Sequence, residues 1–99
     1  MTSLAEKKGF IWFDGEIIKS EDANVHVLTH TLHYGLGVFE GVRAYETHEG
    51  TKIFRLNDHT ERLFASAKAV ELEIPFTVDE INKAQIEIVK KNDLKEAYI

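Results

Sequence analysis

The order of apolar and polar residues predicts two pairs of short strands. Phe10 to Phe13 form an apolar run that meets Glu16 to Ile18 across Asp14 and Gly15, a residue pair that suits a tight turn with positive φ angles. From Val38 to Glu46 the residues alternate, which predicts a strand, and Thr51 to Leu56 supply its partner. The chain therefore opens with one hairpin and continues with a second strand pair.

Two helices are predicted after the strands, and a capping box marks the start of each. The first box pairs Asp58 with Glu61, and the second pairs Thr77 with Glu80, so that side chains satisfy backbone N–H groups that have no partner within the helix. Pro75 is expected to end the first helix. The second helix should end near residue 92.

The remaining segments complete an α+β order of elements. Residues 20–37 mix small polar residues with histidines and glycines, which predicts a turn, a short helical piece and a loop. Residues 96–99 are the start of a further strand, and a chain that ends there without a polar tail suggests a fragment. Strands followed by helices predict the α+β class.

Composition narrows the classes of function. The chain has 99 residues, 43% of them hydrophobic and 29% charged, with no cysteine. We therefore expect one domain, no membrane segment, no signal peptide in residues 1–9, no disulfide and a cytoplasmic location. The net charge is -5 and the basic residues are scattered, which argues against a nucleic-acid partner because phosphate-backbone binding needs a concentrated basic surface.

The glycines of the central segment suggest a pocket wall and not a dinucleotide site. Gly35, Gly37 and Gly41 have the spacing G-x-G-x-x-x-G, which differs from the dinucleotide fingerprint. Gly41 instead leaves a gap between Phe39 and Arg43 on one face of the predicted strand, where another group can approach closely. From periodicity alone, however, a half-exposed sheet face with a solvated arginine is the favoured interpretation.

Three histidines could in principle bind a metal. His26, His30 and His33 have the spacing i, i+4, i+7, which on a helix would place three imidazoles on one side. Zinc accepts imidazole ligands arranged in this way. No Cys, Asp or Glu follows at a spacing that would complete the site. We therefore favour histidines that hydrogen-bond a polar loop, and we assign no metal site.

One arginine is a candidate phosphate ligand. Arg62 lies in the predicted first helix beside small residues that allow close approach, and its planar donors can bind two oxygens at once. From spacing alone, an exposed arginine that pairs with Glu61 or Asp58 is the favoured alternative.

The stretch from His30 to Tyr45, HTLHYGLGVFEGVRAY, resembles the N-terminal motif of branched-chain amino acid aminotransferases, which are class IV pyridoxal-phosphate enzymes. The resemblance extends to IWFDGE, DANVHVLTH, HTERLFASAK and the final AYI, and so covers nearly the whole chain. It implies that residues 1–99 are the small N-terminal domain of that fold, an antiparallel sheet with two helices packed on it. The domain that carries the catalytic lysine would then lie outside this chain.

The resemblance also implies roles for single residues. Arg62 resembles the arginine that holds the cofactor phosphate, and Phe39 resembles a wall of the apolar pocket for the substrate side chain. Tyr34 resembles the tyrosine that reaches into the pocket of the partner subunit in a homodimer. Tyr98 matches a pocket tyrosine, and Arg43 resembles a motif arginine near the pocket entrance.

The implied reaction moves the amino group of leucine, isoleucine or valine to 2-oxoglutarate through pyridoxal phosphate. None of Lys52, Lys68 and Lys83 lies in a motif that matches the family's lysine, so no catalytic residue is expected here and the chain alone should be inactive. The alternatives are a D-amino acid aminotransferase, an aminodeoxychorismate lyase of the same fold, and a non-catalytic dimerisation module.

Overall fold

The computed structural model describes residues 8–99. The expected absence of a signal peptide in residues 1–9 therefore falls mainly outside the described residues. The elements in chain order are β1 (Phe10–Phe13), β2 (Glu16–Lys19), a 3₁₀ turn (Ser20–Asp22), α1 (His30–Tyr34), β3 (Arg43–Thr47), β4 (Gly50–Ile53), α2 (Leu56–Ala69), α3 (Val78–Lys91) and β5 (Ala97–Tyr98). Within these residues, no helix is long and apolar enough to span a bilayer.

The first hairpin is formed as the sequence predicts. β1 and β2 pair antiparallel, with Phe10 opposite Lys19 and Phe13 opposite Glu16. Asp14 has a φ of 48° and Gly15 a φ of 96°, so both turn residues adopt the left-handed backbone that this short connection requires. The prediction of a turn, a short helix and a loop over residues 20–37 is also confirmed.

A three-stranded antiparallel sheet has the order β4-β3-β5. β3 begins later than predicted, at Arg43 and not at Val38, because residues 36–42 form no ladder with β4. The predicted alternation nevertheless continues through them, with even-numbered side chains turned inward. At the end of this segment, Val42 and Ile99 exchange backbone hydrogen bonds of 3.4 and 2.7 Å.

The predicted start of α2 was wrong. The helix begins at Leu56, which the sequence assigned to the preceding strand, because Arg55 adopts a φ of 51° and turns the chain into the helix early. Asp58 therefore lies within the first turn, where its carboxylate accepts a hydrogen bond of 2.7 Å from Arg55. Glu61 accepts one from Asn57, so the expected capping box between Asp58 and Glu61 is absent.

The predicted end of α2 at Pro75 was also wrong, because a backbone motif ends the helix at Ala69. Glu71 takes a φ of 60°, and the N–H of Leu72 then donates to the carbonyl of Ala67 at 2.8 Å. These two features define a Schellman motif, which usually has glycine at the left-handed position. The proline lies beyond this turn and has no part in ending the helix.

α3 follows its prediction closely. The hydroxyl of Thr77 accepts from the N–H of Glu80, and the carboxylate of Glu80 accepts from the N–H of Thr77, both at 3.1 Å. The helix ends at Lys91, with Asn92 at the C-cap, as expected.

The core is small and partly polar. Its buried apolar residues, within the part of the chain that the structure describes, are Val42, Ala44, Ala67, Ala84 and Val89. Thr60 of α2 is 1% exposed, and its hydroxyl lies within hydrogen-bond distance of Asn82 and Gln85 on α3. The two long helices are thus joined by small side chains and a polar network.

Asn92 fastens the end of α3 to the first hairpin. Its side-chain amide accepts from the N–H of Phe10 at 2.8 Å and donates to the carbonyl of Phe10 at 2.9 Å. The amide therefore satisfies both backbone groups of one β1 residue, as a neighbouring strand would. Antiparallel sheets with helices packed beside them constitute the predicted α+β class.

Candidate functional site

A carboxylate on the segment before β3 holds the candidate phosphate arginine. The Nε and Nη2 atoms of Arg62 donate to the Oε2 and Oε1 atoms of Glu40 at 2.8 and 2.7 Å. Parallel bonds of this kind between a guanidinium and a carboxylate are strong and directional. Arg62 therefore pairs with a residue 22 positions away, and not with Glu61 or Asp58 as spacing alone favoured.

His59 holds the same carboxylate from a second side. Its Nδ1 atom lies 2.8 Å from Oε1 of Glu40. Because an ionised carboxylate can only accept, Nδ1 must carry the proton, and the contact selects that tautomer. The side chains of Glu40 and His59 are 10% and 19% exposed, whereas that of Arg62 is 67% exposed. The carboxylate lies inside the cluster, and the guanidinium extends outward from it.

The cluster shifts the titration of both charged groups. Hydrogen bonds from Arg62, and then from His59, lower the pKa of Glu40 from 4.5 to about 2, because they stabilise the ionised form more than partial burial disfavours it. The same ion pair raises the pKa of Arg62 above its ordinary value. Glu40 and Arg62 are therefore both charged at neutral pH.

Local structure explains how these three residues meet. His59 and Arg62 are three positions apart on α2 and so lie on one side of the helix. Glu40 occupies an inward position of the alternating segment that leads to β3. Phe39, its neighbour, faces the opposite way and is 83% exposed.

An aromatic group lies against Gly41 on the outward face. A Cβ atom placed on Gly41 would lie 2.8 Å from the hydroxyl oxygen of Tyr98. The guanidinium carbon of Arg43 lies 5.7 Å from the centre of the Tyr98 ring, and Tyr98 is itself 67% exposed. The expected close approach at Gly41 is confirmed, and the approaching group is this tyrosine.

The structure brings two of the five sequence-predicted site residues, Phe39 and Tyr98, into one cavity. A cavity of about 550 Å³ is lined by Phe39, Glu40, His59 and Tyr98, together with mainly apolar side chains of β1, α2 and α3. Arg43, Arg62 and Tyr34 do not line it. This tyrosine ends α1, is 77% exposed and contacts His30 edge to face with ring centres 5.7 Å apart.

Two of the three histidines, His26 and His33, hydrogen-bond the backbone of the central loop. His26 accepts from the N–H of Leu28 at 3.0 Å, and His33 donates from Nε2 to the carbonyl of Val27 at 2.8 Å. His26 lies outside α1, so the three histidines do not share a helix. Among residues 8–99 no group of three His, Cys, Asp or Glu side chains could hold a metal ion.

Sequence reasoning missed Glu40 and His59. A signal for the first was present, because Glu40 falls on the inward face of the alternation that contains Val38, Val42 and Ala44. A carboxylate on an inward face needs a partner, and a histidine and an arginine three positions apart on the next helix could supply one. What the sequence could not give was the packing of that helix against the segment.

The chain is similar in sequence to proteins of one family. Residues 37–99 match the family model described as amino-transferase class IV. The branched-chain-amino-acid aminotransferase of Pseudomonas aeruginosa is 58% identical over 97 residues, which cover 98% of this chain and 32% of that protein. This chain thus spans about a third of the length of that relative.

Solved structures give the same result. The branched-chain amino acid aminotransferase from Escherichia coli aligns with a TM-score of 0.90 at 44% identity, over 93% of this chain and 31% of that one. The branched-chain amino acid aminotransferase from Thermobaculum terrenum, solved in its PLP-form, aligns with a TM-score of 0.82 at 36% identity, over 94% and 31%. Because the family model matches more than half of its residues, the chain belongs to the class IV aminotransferases.

Proposed function

We propose that the full-length protein carrying this segment is a pyridoxal-phosphate-dependent branched-chain amino acid aminotransferase. It would transfer the amino group of leucine, isoleucine or valine to 2-oxoglutarate. Relatives and structures with that name, at 36 to 58% identity over nearly the whole of this chain, support the assignment. The single observation that carries it here is the exposed guanidinium of Arg62, held in place by Glu40.

The chemistry of Arg62 fits the phosphate of the cofactor. A guanidinium has five N–H donors, and Glu40 takes two of them, which leaves three for an anion. The side chain is 67% exposed, so these donors are accessible to a ligand. When bound, pyridoxal phosphate acts as the electron sink for the transfer of the amino group.

Neighbouring residues would form the substrate side of the site. Phe39 and Tyr98 present aromatic surface beside the cavity and would contact the apolar side chain of the substrate. Arg43 would lie near the pocket entrance, beside the Tyr98 ring. Tyr34 would serve the partner subunit of a homodimer, consistent with its exposure and its place away from the cavity.

The wider assignments belong to the same proposal. Residues 1–99 would form the small N-terminal domain, and a second domain would supply the lysine that moves the proton. The protein would act in the cytoplasm. A D-amino acid aminotransferase, an aminodeoxychorismate lyase and a non-catalytic dimerisation module are the other outcomes that an assay must separate.

The reaction is tested by assaying leucine-dependent formation of glutamate with the full-length protein. Activity with leucine, isoleucine and valine would support the proposal. Activity with D-amino acids only, release of a product by lyase chemistry, or no turnover of any branched-chain substrate would refute it.

The anchor is tested separately, by titrating the cofactor-free protein with pyridoxal phosphate. Arg62→Ala should weaken binding about 10- to 100-fold, because hydrogen bonds to charged groups contribute about 1.5–3 kcal/mol and 1.4 kcal/mol corresponds to about tenfold in affinity. Arg55→Ala is the matched control, since Arg55 lies at the start of the same helix and pairs with Asp58. Equal affinities of the two variants would show that Arg62 is not the anchor.

A further inference from the structure

We propose that Glu40 is a positioning residue for the cofactor phosphate, acting through Arg62. Its carboxylate occupies one edge of the guanidinium and thereby directs the other edge outward as a fork for two phosphate oxygens. His59 keeps the carboxylate in place. This inference rests on the proposed function, because it requires Arg62 to bind the phosphate.

Counting donors identifies the edge that remains for the ligand. Glu40 accepts from Nε and from one hydrogen of Nη2. One hydrogen of Nη2 and both hydrogens of Nη1 are therefore left, and one from each of these two nitrogens point the same way at the end of the group. Two parallel donors of this kind match two oxygens of a phosphate.

The burial of the three residues favours a positioning role. An arginine side chain that is 67% exposed would sample many rotamers, and immobilising it on binding would reduce the affinity for the anion. The two bonds to Glu40 restrict it before any ligand arrives. Glu40 is itself restrained, because it is 10% exposed and contacts His59 at 2.8 Å.

Charge alone predicts the opposite effect of removing Glu40. The residue is negative, so its Coulomb interaction with a phosphate is repulsive and its removal should tighten phosphate binding. If Glu40 positions Arg62, the same substitution should weaken binding. Glu40→Gln preserves the shape and removes the charge, but it turns an N–H₂ group toward one of the two donors of Arg62.

The experiment measures phosphate-site affinity without turnover. Cofactor-free full-length protein is titrated with pyridoxal phosphate, and binding is followed by absorbance. The titration is then repeated with inorganic phosphate as a competitor, which gives the affinity for phosphate itself. For Glu40→Gln we expect about fivefold to tenfold weaker binding of both probes, because residues that orient a metal-binding side chain contribute about 10- to 100-fold and an exposed arginine should depend less on its partner. Glu61→Gln is the matched control, because it removes the same charge from the position next to Arg62 and should change neither affinity.

A second comparison separates positioning from a general structural effect. In the Arg62→Ala background, Glu40→Gln should produce no further loss, since Glu40 would act only through the arginine. An equal loss in both backgrounds would overturn the inference.

His59→Gln should weaken the binding of both probes about twofold to threefold. This variant tests the cluster independently if Glu40→Gln folds poorly. An unchanged affinity in His59→Gln would count against the inference.

Failure of the inference and failure of the proposed anchor give different results. If Arg62→Ala binds both probes as tightly as the wild type, the anchor and the inference fall together. If Arg62→Ala binds weakly while Glu40→Gln binds as tightly as the wild type or more tightly, only the inference falls.

Discussion

Phe39 and Glu40 are neighbours in sequence, yet their surroundings are the reverse of what their side chains would favour. Phe39 is 83% exposed, whereas the carboxylate side chain is 10% exposed. Folding alone usually buries the aromatic residue and exposes the acidic one. The exposed ring of Phe39 gains little from the folding of this segment, whereas the buried carboxylate is stabilised by its hydrogen bonds from Arg62 and His59.

The two faces also differ in how they are held. On the inner face, Glu40 is fixed by hydrogen bonds from Arg62 and His59. On the outer face, Phe39 and Tyr98 are mostly exposed. The charged face is preorganised within this segment, and the aromatic face provides apolar surface that a ligand can cover.

The largest expected difference between the two faces is in the free energy of unfolding at acidic pH, which depends on Glu40. Glu40 has its pKa lowered from 4.5 to about 2 in the folded protein, so its pairing stabilises the fold fully above pH 4.5 and progressively less as the pH falls toward 2. The difference in free energy of unfolding between the wild type and Glu40→Gln should therefore shrink across that window. Denaturant unfolding of the full-length protein followed by circular dichroism at several pH values measures it. A difference independent of pH would mean that the ion pair contributes no stability.

A smaller effect is expected on the aromatic face. Phe39→Ala should raise the KM for leucine about tenfold, because burying an aromatic or branched side chain against apolar surface contributes about 1.5–3 kcal/mol and part of that surface would be lost. Affinity for pyridoxal phosphate should not change, and stability should change by less than about 0.5 kcal/mol because the ring is exposed.

The control for this prediction is Phe54→Ala, since Phe54 is 60% exposed and does not line the cavity. It should leave the KM unchanged. If Phe39→Ala instead weakened cofactor binding as much as Glu40→Gln, the two faces would not act separately.

The smallest effect is expected at Gly41, which follows both residues in sequence. In Gly41→Ala the new methyl group would lie 2.8 Å from the Tyr98 hydroxyl, so the tyrosine must shift while the backbone stays in place. We expect the KM for leucine to rise about threefold, with stability changed by less than about 0.5 kcal/mol.

Tyr98→Phe tests whether the clash with the tyrosine hydroxyl causes the effect of Gly41→Ala. Without the hydroxyl, the nearest ring carbon lies 3.4 Å from the added methyl group, an ordinary contact. Gly41→Ala should then have little further effect in the Tyr98→Phe background. An undiminished effect there would show that the glycine serves some purpose other than accommodating this ring.

The features that the sequence predicted well depend on neighbours in the chain. The turn at Asp14 and Gly15 and the capping box of Thr77 and Glu80 each involve residues at most three positions apart, so their geometry follows from local chemistry. The inward and outward faces around Gly41 were also predictable, because alternation alone determines them.

The predictions that were wrong concern backbone conformations that side-chain patterns do not specify. Arg55 and Glu71 adopt left-handed conformations that are uncommon for residues other than glycine, and these turns set the two ends of α2 in place of Asp58 and Pro75. The pairing of Arg62 with Glu40 spans 22 positions and depends on how the helix packs. For the site, the sequence suggested Arg62 and the aromatic residues as candidates but missed the cluster that holds the arginine.

The double hydrogen bond between Asn92 and Phe10 has a consequence for hydrogen exchange. The N–H of Phe10 is bonded to a side chain 82 positions further along the chain, and that side chain also donates to the carbonyl of Ile88. The Phe10 amide can therefore exchange with solvent only when the Asn92 side chain at the end of α3 releases it. The first strand and the last helical turn should open as one cooperative unit, although they lie at opposite ends of the chain.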